Sequence, residues 1–189
     1  MRENDPGLTD HDFLGARAGD PDAFAAVVRS QQRLVYGIAL RMLGDRSLAE
    51  DLAQEVFLQL HCNLRSIEST AHLTFWLRRV TAHRAIDLLR RRARVQWAPL
   101  AAAEELPAAG PQGDPLMEAR LLREVSQLSP VARAVLLMRY QQDLDPTEIA
   151  RTLDLSLNTV KSHLKRSLAT LRLQLSAAEP GGGLVNHEP

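Results

Sequence analysis

Asp145-Pro-Thr-Glu-Ile-Ala-Arg-Thr-Leu-Asp-Leu-Ser-Leu-Asn-Thr-Val-Lys-Ser-His-Leu-Lys-Arg166 is the stretch whose reading decides the fold. Asp145 and Glu148 have capping-box spacing: the aspartate side chain can accept from the N–H three residues on, and the glutamate can reach back to the cap N–H. Pro146 takes the first helical position, where a missing N–H costs nothing. Together they open a short helix, Ile149 to Leu153. Asp154 to Ser156 then reads as a tight turn, with Ser156 capping a second helix from Leu157 to about Leu175. Ile149, Ala150, Leu153, Val160 and Leu164 form the apolar set that locks the two helices together. Asn158, Thr159, Lys161, Ser162, Lys165 and Arg166 are left on the outward face, with His163 among them. This is a helix-turn-helix over residues 146–166, whose second helix suits the DNA major groove. A solvated basic helix on an all-α domain is the plainer alternative. It leaves the coincidence of cap, turn and inward apolar set unexplained.

Working outward, the same signals recur. Ser129-Pro130 caps a helix from Val131 to Tyr140, and Asp114-Pro115 caps one from Leu116 to Leu128. Further back, Asp20-Pro21 opens the apolar run Phe24 to Leu43, which Gly44 stops. Ser47-Leu-Ala-Glu50 has capping-box spacing and precedes Ala49, Leu52, Ala53, Val56, Phe57 and Leu60, one continuous helical stripe. After a polar stretch, Asn63 to Thr70, a third helix starts near Ala71 and runs through Leu73, Trp76, Leu77 and Val80 to Arg90-Arg91-Arg92. Residues 95–114 hold three prolines and two glycines without a helical period and read as a flexible linker. The expected fold is all-α: two small helical domains, 1–94 and 115–175, joined by that linker and followed by a disordered tail, 176–189.

The chain of 189 residues carries 23 basic and 23 acidic side chains, so its formal net charge is zero. The charges are segregated, however. Arg78 to Arg94 is net +6 and Ser156 to Arg172 net +4, whereas Asp45 to Glu55 is net −3 and Glu104 to Glu118 has four acids and no base. Two basic helices on separate domains suit two contacts on one polyanion. The single cysteine, Cys62, permits no internal disulfide and is expected to be a small semi-buried hydrophobe. The N-terminus lacks a signal-peptide pattern and no stretch is long and apolar enough to span a membrane, so a cytoplasmic protein without membrane insertion is expected. No metal-ligand spacing, phosphate loop or nucleophile–base pair is present. No metal, cofactor or catalytic residue is therefore assigned, and no enzymatic activity is expected.

Asp51, Gln54 and Glu55 stand at i, i+3 and i+4 and share a face beside the apolar stripe. On the residues alone, a solvated helix face and a protein-docking ridge are both open. The block Ala49-Glu-Asp-Leu-Ala-Gln-Glu-Val-Phe57, then Trp76-Leu77, Asp87-Leu-Leu-Arg90-Arg-Arg and the helix-turn-helix, resembles the extracytoplasmic-function group of bacterial RNA polymerase sigma factors over roughly Gly19 to Leu173. The resemblance implies two domains, regions 2 and 4 of that family, and a sigma factor that binds core RNA polymerase and directs initiation at −10 and −35 promoter elements. It implies that Asp51, Gln54 and Glu55 dock on the clamp helices of the β′ subunit. It also implies that the first domain opens and holds the −10 element, and that the second reads the −35 element as duplex and sits on the β flap. An anti-sigma protein is an implied partner.

Melting exposes single-stranded bases, which a protein holds with a basic groove and a pocket for an unstacked base. The stretch Asn63 to Thr70 corresponds to the family's base-capturing loop. The −10 candidates are therefore Asn63, Arg65, Ser66, Arg78, Arg79, His83, Arg90 and Arg91. Trp76 could stack on a base, but its place in the apolar stripe favours a core role. The sequence departs from the family pattern at His83, where asparagine is usual, at Pro146-Thr147 and at His163. A response-regulator-type helix-turn-helix regulator is the competing reading. It would lack the acidic ridge and the basic third helix, and no strand alternation marks a receiver domain.

Overall fold

The computed structural model describes residues 8–95 and 115–176, all organised around helices. They are α1 (Asp10–Ala18), α2 (Pro21–Leu43), α3 (Arg46–Asn63), a 3-10 turn (Leu64–Ser66), α4 (Thr70–Val95), α5 (Pro115–Gln127), α6 (Pro130–Tyr140), α7 (Pro146–Leu153) and α8 (Leu157–Ser176). The expected linker falls almost wholly outside the described residues, as does the expected tail beyond Ser176.

Caps set the boundaries. The Asp20 carboxylate accepts from the N–H groups of Asp22 and Ala23 to open α2, and Gly44, at φ +68°, closes it with its N–H on the Leu40 carbonyl. The cap of α3 differs from the sequence expectation: it is Asp45, whose side chain accepts from Leu48 N–H at 3.0 Å, and Ser47 lies inside the helix. An aspartate directly after the left-handed glycine reaches the free N–H groups two residues earlier. Helix α1 was not expected at all. Thr9 caps it by accepting from Asp12 N–H, and it packs on α2 through Phe13 and Ala16.

Helices α1 to α4 enclose one core in which Val27, Val56, Leu60, Ile67, Leu73 and Leu77 are wholly buried. Burial of each such side chain is worth roughly 1.5–3 kcal/mol. The loop after α3 is less polar than its sequence suggests, because Leu64 and Ile67 anchor it in this core. Trp76 packs against the same cluster, as the apolar stripe predicts. Cys62, in contrast to expectation, is exposed. It sits two residues from buried Leu60, so about 200° round the helix, on the opposite face.

The second core does not belong to one domain. Ile38, Met42, Ala82 and Ala85 from α2 and α4 cluster with Val135, Met138, Ile149 and Val160 from α6, α7 and α8. Two domains tethered by a linker are thus also docked side by side, with α6 and α7 against α4 and α6 against α2. Small residues on α4, Ala82 and Ala85, are wholly buried at this junction. Arg133 of α6 crosses it: its guanidinium donates to the Met42 carbonyl of α2 and to the Ser126 carbonyl. Burial pulls that guanidinium below the usual arginine range, an expense met by hydrogen bonds to carbonyls left over at two helix ends.

Candidate nucleic-acid interface

The helix-turn-helix is built as its sequence dictates. Asp145 accepts from Thr147 and Glu148 N–H at 2.7 and 2.9 Å, and Glu148 Oε2 accepts from Asp145 N–H at 2.7 Å. Those backbone donors hold the Asp145 carboxyl below its ordinary range. Ile149, Leu153 and Val160 are buried between the helices, with Ala150 and Leu164 packed against them. Ser156 Oγ accepts from Thr159 N–H at 3.1 Å and starts α8. Along α8, Asn158, Lys161, Ser162, Lys165 and Arg166 are exposed, while Thr159 and His163 are half-buried. This face carries three cations and no acid.

Asp51, Gln54 and Glu55 are likewise exposed on one face of α3. A groove of about 570 Å³ runs between α3 and α4, and Asp51, Glu55, Arg79, His83, Arg84 and Arg91 line it. Two of the ridge candidates, Asp51 and Glu55, and three of the −10 candidates thus share one groove. Arg84, not singled out from the sequence, joins its walls: Nη1 donates to Glu55 Oε2 at 2.6 Å and Nε to Gln59 Oε1 at 2.9 Å. Its membership of the +6 arginine run was the available signal.

The −10 candidates fall into three groups. Asn63, Arg65 and Ser66 sit at the turn after α3, where Asn63 Nδ2 donates to the Gln59 carbonyl, Ser66 Oγ to the Asn63 carbonyl, and the Arg65 carbonyl accepts from Arg17. Arg90 and Arg91 lie exposed at the far end of α4, Arg90 being 3.9 Å from Asp87. Arg78, Arg79 and His83 instead face the second domain. Arg78 Nε donates to Gln142 Oε1 at 3.2 Å. Arg79 places both terminal nitrogens on the Asp154 carboxylate, and its Nη1 also reaches the Arg151 carbonyl at 3.0 Å. His83 Nδ1 lies 2.8 Å from the Arg79 carbonyl, which can only accept, so Nδ1 carries the proton and Nε2 faces Asp154 at 3.7 Å. The hydrogen bond from Arg79, more than any other influence, holds the Asp154 carboxyl below its ordinary range.

An acidic ridge, a basic helix and a helix-turn-helix in this order match two families in turn: Sigma-70 region 2 over residues 27–95 and Sigma-70, region 4 over residues 118–171. The chain belongs to the sigma-70 family of RNA polymerase sigma factors. Within that family it falls in the extracytoplasmic-function group. It is 30% identical over 173 residues to the ECF RNA polymerase sigma factor SigW of Bacillus subtilis, an alignment covering 84% of this chain and 92% of that one. It is 33% identical over 173 residues to the probable RNA polymerase sigma factor RfaY of Xanthomonas campestris pv. campestris, covering 87% of this chain and 43% of that one. The sigma factor RpoE of Bartonella quintana, solved with its anti-sigma factor NepR, superposes with a TM-score of 0.67 at 16% identity, covering 82% of this chain and 98% of that one. That likeness speaks for the all-α fold. As a sigma factor, the protein directs promoter-specific initiation by RNA polymerase through −10 and −35 elements, and the response-regulator reading is not favoured. No described helix is long and apolar enough to cross a membrane.

Proposed function

We propose that the division of labour follows the surfaces just described. The exposed face of α8 reads the −35 duplex: Asn158, Ser162 and His163 stand towards base edges, and Lys161, Lys165 and Arg166 towards phosphates, with Thr159 beside the helix cap. Asp51, Gln54 and Glu55 dock on the β′ clamp helices of core polymerase, and the second domain seats on the β flap. The loop residues Asn63, Arg65 and Ser66, with Arg78, Arg79, His83, Arg90 and Arg91 of α4, hold the melted −10 strand. The domain limits are 1–94 and 115–175. The protein contributes binding only; bond making belongs to the polymerase. It works in the cytoplasm and is held in check by an anti-sigma protein.

The observation that carries this reading is the placement of cations on α8. Lys161, Lys165 and Arg166 are exposed, whereas Val160, Ser167 and Leu171 of the same helix are buried, so the basic face is presented outward on a fixed scaffold. Run-off transcription with purified core polymerase tests it. Full-length protein should yield discrete transcripts from genomic fragments, and combined alanine substitution of Lys161, Lys165 and Arg166 should abolish them at promoters that depend on a −35 element.

A further inference from the structure

One guanidinium ties the polymerase-facing ridge to the groove between α3 and α4. Glu55 and Gln59 stand at i and i+4 on α3 and so share a face. Arg84 of α4 reaches both: Nη1 donates to Glu55 Oε2 at 2.6 Å and Nε donates to Gln59 Oε1 at 2.9 Å. Glu55 is exposed, whereas Gln59 and Arg84 are half-buried in the groove wall. Gln59 was not among the residues singled out from the sequence, and its partner lies on another helix.

An arginine nitrogen can only donate, so the Gln59 atom that meets Arg84 is the carbonyl oxygen, and chemistry settles which way the amide is turned. The amide is planar, and Nε2 therefore points away from Arg84 with two N–H donors that meet no protein acceptor among the described residues. The positive charge beside Oε1 discourages a second donor from approaching it. Gln59 thus offers the groove donors only. Leu48 and Leu52 of α3 and Val80 and Leu88 of α4 line the same groove, an apolar bed against which a flat ring can lie. A base unstacked into it shows its exocyclic group to the wall. Thymine and guanine carry an acceptor there, O4 or O6, whereas cytosine and adenine carry an amino donor, N4 or N6. An amino group set against the Gln59 amide leaves donors facing donors, desolvated and unpaired.

We infer that Gln59 is a specificity-determining residue for the melted strand, selecting a keto base, thymine or guanine, at one −10 position, and that Arg84 is the positioning residue that keeps its amide turned donor-outward. The inference rests on the assignment of this groove to the −10 strand. Glu55 anchors the other end of the same guanidinium, so a residue of the docking ridge and the residue that reads the base are held by one side chain.

The test uses holoenzyme assembled from the full chain and a promoter library randomised across the −10 element, scored as the ratio of transcripts from keto and amino templates at each position. That ratio is internal to each variant, so losses in folding or core capture cancel from it. Wild type should favour keto bases by about fivefold or more at one position, the lower end of what one good contact to a base edge discriminates. Gln59→Glu keeps the Arg84 pair but turns an acceptor to the groove, and should invert the preference at that position. Arg84→Met keeps the stem and removes the donors, and should cut the ratio below about twofold; Arg84→Lys, which restores one donor, should recover part of it. An Arg84 that only supports the fold would lower total transcription and leave the ratio alone. A ratio unmoved by Gln59→Glu, or a wild type without a keto preference, overturns Gln59 as the reading residue. Inversion by Gln59→Glu with an unmoved ratio in Arg84→Met overturns the positioning role. Binding to a promoter premelted over the −10 element is measured in parallel for the Arg90→Ala, Arg91→Ala double variant. Loss of affinity there with an unmoved Gln59→Glu ratio overturns this inference alone, whereas no loss together with an unmoved ratio overturns the assignment of the groove to the strand.

Discussion

Removing two cations from the recognition helix should show itself in the salt dependence of duplex binding. Lys165 and Arg166 are exposed on α8, away from the Arg79–Asp154 clasp, so alanine at either position leaves domain docking untouched. Alanine is also the best helix former, so the double variant should remain folded. Each phosphate neutralised by a side chain contributes about −0.9 to the slope of log affinity against log salt. If both residues contact phosphate, the slope should become shallower by about 1.8. Between 50 and 200 mM salt one such contact costs about 3.5-fold in affinity, so the double variant should lose about 12-fold less than wild type over that range. Fluorescence anisotropy with a labelled −35 duplex at four salt concentrations reads this directly. Arg41→Ala, an exposed cation on α2, is the control and should leave the slope alone. An unchanged slope in the double variant, or an equal change in the control, would refute the placement of the recognition face.

Alanine at Asp51, Gln54 and Glu55 together should weaken capture of core polymerase at least tenfold, about 1.4 kcal/mol, with thermal melting unchanged because all three are exposed; full capture by the variant would return the ridge to solvent. His83→Asn replaces one ring donor and one ring acceptor by an amide that offers both on one edge, so preference at one −10 position should shift by roughly 1 kcal/mol. Transcription from a library randomised across that element measures it, and an unaltered profile counts against a base-facing His83. Acid should open the chain. The Asp154 carboxyl is depressed chiefly by Arg79, so its contribution to docking is complete above the ordinary carboxylate value near pH 4 and is lost as pH falls through the depressed value. Scattering should report expansion of wild type on acidification below about pH 4 that is absent in Asp154→Asn; identical curves would show that the clasp does not hold the domains.

What was legible in the sequence is what local chemistry writes. The capping box at Asp145, the proline at Pro130 and the stripe through Val56 and Leu60 each act within a turn or two of chain, and each appears in the structure where the pattern puts it. Helix α1 leaves little trace in the sequence because only Phe13 and Ala16 of its nine residues are buried, too few to make a period; Thr9 followed by Asp12, with Gly19 at the far end, is the usable signal. The cap of α3 is ambiguous in the sequence because Asp45 and Ser47 are both good cap residues and spacing favours the one with a glutamate three positions on, whereas the structure uses Asp45. The −10 surface was harder. Arg78 meets Gln142 across 64 residues and Arg79 meets Asp154 across 75, distances at which no helical period carries information. An arginine on a helix face reads the same in sequence whether it faces water, a phosphate or another domain.

The docking has a physical cause beyond its polar clasp. The described part of the second domain runs from Pro115 to Ser176, and a unit of about 60 residues buries only about 60% of the surface its unfolded chain exposes. Its four helices cannot cover one another fully, and the residue left over is the face of α6 and α7 that meets α2 and α4. Exposing that face in an open chain would cost roughly 25 cal/mol for each Å² of apolar surface. The closed form offsets this with the shared core around Met138 and Ile149, so the free chain gains stability from the contact that also engages Arg78 and Arg79. An open, DNA-spanning form therefore needs a substitute surface for α6 and α7, and the proposed seat on the β flap supplies one. Polymerase binding and domain separation are then two sides of one exchange of apolar contacts, in which neither domain has to stand alone in water.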